Sequence, residues 1–112
     1  MEKAANAGNK TVASNMSLAY RKGDGVEVNI EKSIEWAIKA AELGDDDRIF
    51  QYAVAYFNGE DPVTEDKAKA VEFFVLAANA GSSTAMENLG VCYNNGYGVA
   101  LDKNKGIEWF EK

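Results

Sequence analysis

The chain is 112 residues long, with 46% hydrophobic and 27% charged residues and a formal net charge of -6. That length suffices for one domain with its own core, and the even mixture of apolar and charged residues excludes a disordered chain and a membrane span. The acidic balance, with no basic run longer than Arg21-Lys22, argues against nucleic acid as a partner. The sequence has no histidine, the commonest general base and metal ligand. We therefore expect a soluble protein that is not an enzyme and uses no cofactor or metal.

Residues 1–8 lack the long apolar segment of a signal peptide, which makes the cytoplasm the default location. They are typical instead of the end of a helix, predicted at 2–7, that closes with Gly8. The same alanine-rich segment and glycine return at Gly44 and Gly81, after 36 and then 37 residues. A spacing of this size indicates a repeat architecture.

Each repeat is predicted to contain two helices. Apolar residues at helical spacing, followed by a tyrosine and then a glycine, predict the first helix of each repeat. These first helices are predicted at 10–22, 46–57 and 83–94. An Asn or Asp then precedes a second helix and is expected to cap it. The second helices are predicted at 30–43, 65–80 and 103–112, after Asn29, Asp66 and Asp102.

Mostly small side chains recur on one face of the second helices, where the small ones let a neighbouring helix approach closely. The matching sets are Ser33, Ala37 and Ala40 in one helix and Ala70, Phe74 and Ala77 in the next. The recurring aromatics are expected to pack between helices and not to form a ligand cage; they are Trp36, Phe73 and Trp109. The chain is predicted to be a single repeat domain, divided into 1–9 (the end of a preceding repeat), 10–45, 46–82 and a truncated 83–112.

The last repeat resembles the Sel-one-like repeat, a longer relative of the tetratricopeptide repeat, in the order of its residue types. The residues that carry the resemblance are Asn88-Leu89-Gly90, Tyr93, Gly96-Tyr97-Gly98-Val99, Asp102, Lys105 and Trp109. Departures occur at Met16 and Ser17, where the family favours leucine and glycine, and at Asp61, where it favours glycine. The resemblance covers essentially the whole chain and implies an all-α, right-handed α/α solenoid of about three repeats.

The resemblance also implies an adaptor whose first helices line a concave groove and whose second helices form the back. Groove-facing positions of the related repeats include Thr11, Ser14, Asp47 and Thr84 of this sequence. The positions expected to bind a partner are Leu18, Arg21, Lys22, Phe50, Val54, Phe57, Asn58, Glu87, Val91, Asn94 and Asn95. The expected partner is a protein or peptide segment, with neither nucleic acid nor membrane involved.

Phe50, Val54 and Phe57 are the most distinctive of these positions, because they share one face of the middle first helix. If they are exposed, aromatic side chains would anchor a peptide, and Arg21 with Lys22 would favour acidic residues or a free carboxylate. Replacing either phenylalanine by alanine would then weaken binding with little loss of stability. The alternative is that these residues are buried against a neighbouring helix or a second copy.

Other chemistry is less favoured by the sequence. Asp45-Asp46-Asp47 lacks the spaced oxygen ligands of a calcium loop and is expected to interact with a helix N-terminus. Cys92 shares its repeat position with Ala19 and Ala55, which predicts a small buried residue and not a reactive thiol. Some relatives of the family are linked to β-lactam binding or hydrolysis. This sequence contains no serine followed three residues later by lysine, the motif of serine enzymes that react with β-lactams.

A second hypothesis is self-assembly, since residues 2–8 resemble the tail of a second helix and residues 109–112 end midway through the equivalent one. Head-to-tail stacking, exchange of terminal helices or membership of a longer array would each cover the open ends. A homo-oligomer formed through the terminal repeats is therefore the alternative to a peptide-binding adaptor.

Overall fold

A computed structural model describes residues 9–112, which form six α-helices and, within that range, no strand. The helices are α1 (Lys10–Lys22), α2 (Ile30–Glu42), α3 (Asp47–Asn58), α4 (Lys67–Asn79), α5 (Ser83–Asn95) and α6 (Lys103–Glu111). Each odd-numbered helix packs against the next even-numbered one, and the pairs are joined through α2 with α3 and α4 with α5. Between the first two pairs the first helices α1 and α3 also meet, as do the second helices α2 and α4, and the pairs stack in series. The predicted all-α solenoid is confirmed.

Every predicted helix within these residues is present, with bounds that differ by at most two positions. The largest difference is at α4, which begins at Lys67 because Asp66 is its extended N-cap residue and not part of the helix. The helix predicted at 2–7 lies outside the described residues. The division of the chain into repeats at 45/46 and 82/83 stays a prediction.

One set of contacts recurs in all three helix pairs and fixes how each pair folds back on itself. The N–H of the capping Asn or Asp donates to the carbonyl oxygen of the tyrosine near the end of the first helix, over 2.7 to 2.9 Å. The side chain of the same cap accepts from the N–H three residues later, which belongs to a lysine. That lysine places its ammonium 5.4 to 6.0 Å from the centroid of the tyrosine ring. The three sets are Tyr20, Asn29, Lys32; Tyr56, Asp66, Lys69; and Tyr93, Asp102, Lys105, which we call the repeat staples.

The glycine after each first helix makes this return possible. Gly23, Gly59 and Gly96 have φ of 81°, 73° and 74°, a left-handed conformation that a side chain would strain. Each glycine N–H donates to a carbonyl four residues earlier and closes the helix. The sequence-based assignment of these glycines as helix stops is confirmed.

The two helices of each pair cross at small residues, and the crossing differs in chemistry from pair to pair. In the first pair Ser17 and Ser33 are buried, and each hydroxyl donates to the other's carbonyl oxygen over 2.7 Å. The equivalent residues are Ala53 with Ala70 and then Gly90 with Gly106. At the last crossing a Cβ on Gly106 would lie 2.9 Å from the Gly90 carbonyl oxygen, so the backbones themselves are in contact.

The core lies between the pairs and is made largely of alanine and aromatic side chains. Ile49, Tyr52, Phe74 and Leu89 are among its larger members. Tyr52 keeps its hydroxyl paired inside the core, 2.6 Å from the Ser33 hydroxyl. Phe73 is buried with its ring edge-on to Tyr56 at 5.5 Å, as expected of a packing residue. No helix among residues 9–112 is both long enough and apolar enough to cross a bilayer.

We expect Asp66→Ala to lower the free energy of unfolding by about 1 kcal/mol, because α4 loses its N-cap acceptor. Asp66→Asn should retain most of the stability, since Asn29 performs the same function in the first staple. Urea unfolding followed by circular dichroism measures both. Equal losses in the two variants would show that the capping interaction is not what Asp66 contributes.

Candidate functional site

The first helices α1 and α3 are in contact, and α3 and α5 border a common cavity, so the three helices contribute to one surface, which we call the first-helix face. Leu18, Val54 and Val91 occupy equivalent positions on these helices. Leu18 and Val54 are half-buried, whereas Val91 is exposed. An aliphatic row thus crosses the face from one pair to the next, and two cavities flank it.

The first cavity lies between α3 and α5 and has a volume of about 310 Å³. We call it the α3–α5 cavity. Its lining is mostly apolar, with carboxamides from two helices among the polar groups. The lining residues are Val54, Phe57, Asn58, Phe74, Asn88, Val91, Cys92 and Tyr97.

The second cavity, of about 330 Å³, lies between α1 and α3 and includes Val54 as well. Its charged groups are Arg21, Glu60 and Asp61. The Arg21 guanidinium is already engaged, since it donates to the Gln51 side chain over 3.3 Å and lies 5.7 Å from the Tyr52 ring centroid. These contacts leave the positive charge of Arg21 in place, so the two carboxylates of Glu60 and Asp61 against one guanidinium give the lining a net negative charge.

Phe50 and Phe57 are more deeply placed than an exposed anchor would be. Their rings meet Phe74 edge-on at 5.8 and 6.3 Å, and both side chains are half-buried against the core. Phe57 also packs against Tyr97 at 5.8 Å and lies under the Lys67 ammonium at 4.4 Å. Truncating either phenylalanine would remove contacts with the core, so the structure favours a loss of stability on substitution by alanine over the nearly unchanged stability expected from the sequence.

The other predicted positions divide into three kinds. Lys22, Asn58 and Glu87 are exposed on first helices, as a binding role requires. Asn95 is also exposed, but its carboxamide donates to the Val91 carbonyl oxygen over 2.9 Å. Asn94 is half-buried with its side-chain oxygen against Gly106 of α6, so it faces its own second helix instead of a ligand.

Thr11, Asp47 and Thr84 are exposed near the beginnings of the first helices, away from both cavities. Ser14, which was also expected to face the groove, is buried, and its hydroxyl accepts from Arg48 over 3.1 Å. This hydroxyl is occupied within the fold. The predicted binding positions with free side chains thus concentrate at α3 and α5.

Four residues that line the α3–α5 cavity were not predicted as binding positions: Phe74, Asn88, Cys92 and Tyr97. Tyr97 had a signal, because it follows the first glycine of its turn at the position where the other turns carry the acids Asp24 and Glu60. An aromatic residue in an otherwise acidic position indicates a contact beyond the turn itself. The sequence contains no such signal for Asn88, because this residue is accounted for as part of the family's repeat pattern.

The three carboxylates of Asp45, Asp46 and Asp47 lie within 4.8 Å of one another at the start of α3. The side chain of Asp45 accepts from the N–H of Asp47 over 3.1 Å, which agrees with the expected interaction at a helix N-terminus. Asp46, the residue before the helix, makes no side-chain capping bond. The cluster is explained by the helix end.

Cys92 is buried, as the small residues at its repeat position predict. Burial raises the pKa of its thiol, and the positive charge of Lys67 opposes that rise in part. The thiolate is the reactive form of cysteine, and a raised pKa lowers its population at neutral pH. Cys92 therefore behaves as an uncharged part of the cavity wall.

We expect a maleimide to modify Cys92 more slowly in the folded protein at pH 7.5 than in the urea-unfolded chain. The rate in the folded protein should increase on going to higher pH, because the thiolate forms above the ordinary cysteine range. Lys67→Gln should slow the reaction further, since a favourable charge is lost, whereas the exposed Lys103→Gln should not. Equal rates in folded and unfolded protein would show that the thiol is accessible and unperturbed.

Comparison with known proteins identifies relatives of the whole repeat array. The family model for the Sel1 repeat matches residues 12–45, 49–82 and 83–112. A solved Sel1 repeat protein from Oxalobacter formigenes shares 32% identity and superposes with a TM-score of 0.73, over 99% of this chain and 83% of that one.

Two curated proteins match in sequence. The chitin synthase regulator SKT5 of Saccharomyces cerevisiae is 30% identical over 111 residues, which are 97% of this chain and 16% of that protein. The DAP3-binding cell death enhancer 1 of Rattus norvegicus is 38% identical over 47 residues, which are 42% of this chain and 9% of that protein. This chain therefore spans less than a fifth of either curated relative. With three matched repeats and the stacked helix pairs described above, the chain belongs to the Sel1 repeat family.

Proposed function

We propose that this chain is a non-catalytic protein-interaction module that binds a peptide or protein segment across the first-helix face. The observation that carries the proposal is the continuity of that face, where two cavities open on either side of Val54. A segment lying across α1, α3 and α5 would contact both. Sel1 repeat proteins generally mediate interactions between proteins, and the two curated relatives are named for binding DAP3 and for regulating chitin synthase.

The chemistry of the face supports recognition more than catalysis. Its polar groups near the cavities are carboxamides, carboxylates and the Arg21 guanidinium, which orient a bound segment by hydrogen bonds and charge. The half-buried aromatic side chains beneath them pack edge-on against Phe74. An apolar floor with polar groups around it is the arrangement found at the centre of protein interfaces.

Affinity capture with paired variants tests this proposal. Asn58→Arg combined with Asn95→Arg adds bulk and charge to the first-helix face, at two exposed positions. Asn79→Arg combined with Asn104→Arg makes the same chemical change at exposed positions of the second helices α4 and α6. We expect the first pair to weaken binding of the captured protein at least about tenfold, which is 1.4 kcal/mol, and the second pair to leave it unchanged. Equal affinities for both pairs would contradict binding at this face.

Self-assembly is a second candidate, favoured by the apolar surface of α6. Ile107 and Phe110 are 50% and 47% exposed, whereas their equivalents Val71 and Phe74 are 5% and 3% exposed in α4, which packs against both α3 and α5. A first helix from a second copy would cover the α6 residues in the same way. Residues 2–8, on which the sequence-based argument for complementary ends relied, lie outside the described residues.

Sedimentation velocity over a range of concentrations tests this candidate. Ile107→Asp places a charge on the exposed surface of α6 and should shift an oligomer toward monomer. Val28→Asp makes the same change at a valine that is 59% exposed before α2 and should have no such effect. A wild-type protein that stays monomeric at the highest concentration would remove self-assembly from consideration.

A further inference from the structure

The α3–α5 cavity has an apolar floor and an open mouth. Phe74 and Cys92 are buried at its base, and the neutral thiol adds no charge there. Val91 and Tyr97 line it as well, yet remain 42% and 41% exposed. The Tyr97 ring is held in position by Phe57, edge-on at 5.8 Å. Apolar side chains kept exposed around an apolar cavity gain free energy when another apolar group enters.

The size of the opening limits what can enter. A cavity of about 310 Å³ lies at the small end of the range for ligand sites and is shared among side chains from three helices and a turn. It suits one side chain and its immediate surroundings better than a large ligand. The carboxamides of Asn58 and Asn88 belong to different helices that border the cavity, and each can both donate and accept a hydrogen bond. An extended backbone presents alternating N–H and C=O groups that match such a pair.

The charges around the cavity favour a basic segment. Glu87 is exposed on α5, one turn before Val91, and Glu60 with Asp61 lines the neighbouring cavity across Val54. Within residues 9–112 the structure shows one salt bridge, which joins Lys67 to Glu65 at 2.9 Å and leaves these three carboxylates unpaired. Lys67 is paired with Glu65 and also donates to the Phe57 carbonyl oxygen. Arg21 donates to the neutral Gln51 side chain and keeps its charge, but the three carboxylates outnumber Arg21 and the exposed Lys22 of α1.

We propose that the α3–α5 cavity receives one bulky apolar side chain of an extended partner segment that carries lysine or arginine on either side of it. The proposal rests on the proposed function and specifies the partner at the same face. It differs from the sequence-based hypothesis of an acidic segment bound by Arg21 and Lys22, because Glu60, Asp61 and Glu87 outnumber those two cations at the first-helix face. The basic groups of the segment pair with Glu87 on one side and with Glu60 and Asp61 on the other.

Fluorescence anisotropy with three labelled nine-residue peptides tests the proposal. The first peptide has a central leucine flanked by lysines, the second has alanine for the leucine, and the third has glutamates for the lysines. We expect the first to bind wild-type protein at least about tenfold more tightly than either of the others, and its affinity to fall with added salt. No measurable binding of the first peptide, or equal affinity for all three, overturns the proposal.

Two variants, each with a matched control, locate the site at which the peptide binds. Val91→Asp should abolish the advantage of leucine over alanine, whereas Val28→Asp should preserve it. Glu87→Lys, at an exposed position that the fold tolerates, should reduce the preference for lysine over glutamate, and Glu35→Lys on α2 should not. Thermal unfolding of each variant checks that the fold is retained. A leucine preference that persists in folded Val91→Asp overturns the cavity assignment.

The outcome also separates this proposal from the proposed function. If the arginine pair on the first-helix face weakens capture but the peptides show no leucine dependence, the cavity assignment fails and the interaction module stands. If neither capture nor peptide binding responds to changes on that face, both fail.

Discussion

The structure depends on one short-range constraint, the return of the chain after each first helix. A tyrosine carbonyl accepts from the backbone of the capping Asn or Asp, and a lysine of the following helix lies over the tyrosine ring. These contacts fix where each second helix begins and which of its faces meets the first. Because the geometry repeats three times, equivalent residues on α1, α3 and α5 come to lie in one row. The continuity of the first-helix face thus depends on this local bond pattern within each pair and on the packing of α2 against α3 and of α4 against α5, which aligns the pairs.

The local nature of that constraint explains why the fold could be predicted from the sequence. Glycine at the helix stop, Asn or Asp at the cap and apolar residues at helical spacing act within a few positions of one another, so each repeat indicates its own structure. How deeply a side chain is buried cannot be predicted in the same local way, because it depends on which side chain a neighbouring helix places against it. Phe50 and Phe57 look exposed in the helical pattern of α3 alone and are half-buried because Phe74 of α4 lies beneath them. Asn94 likewise occupies a groove position by repeat register and faces α6 because Gly106 leaves space there.

The candidate site combines positions that the repeat predicts with residues that the repeat does not constrain. Val54 and Val91 follow the aliphatic row, whereas Tyr97 lies in a turn and enters the cavity wall only through its contact with Phe57. The charge of the site likewise depends on contacts that the repeat pattern does not predict. Lys67 is paired with Glu65, whereas Arg21 and Lys22 keep their charges but are outnumbered by the carboxylates of Glu60, Asp61 and Glu87. The acidic composition of the chain therefore predicts the sign of the charge on the first-helix face better than the positions of single cations do.

The helix crossings show how such an array can diverge. Two serines, two alanines and two glycines occupy the same crossing in successive pairs, and in each case both members match in size. A serine hydroxyl that donates to the opposite backbone in the first pair would find no room between the contacting backbones of the last. Sequence drift at this point has to involve both helices together. The two-helix pair, and not the single helix, is consequently the segment that gene duplication and recombination can transfer intact.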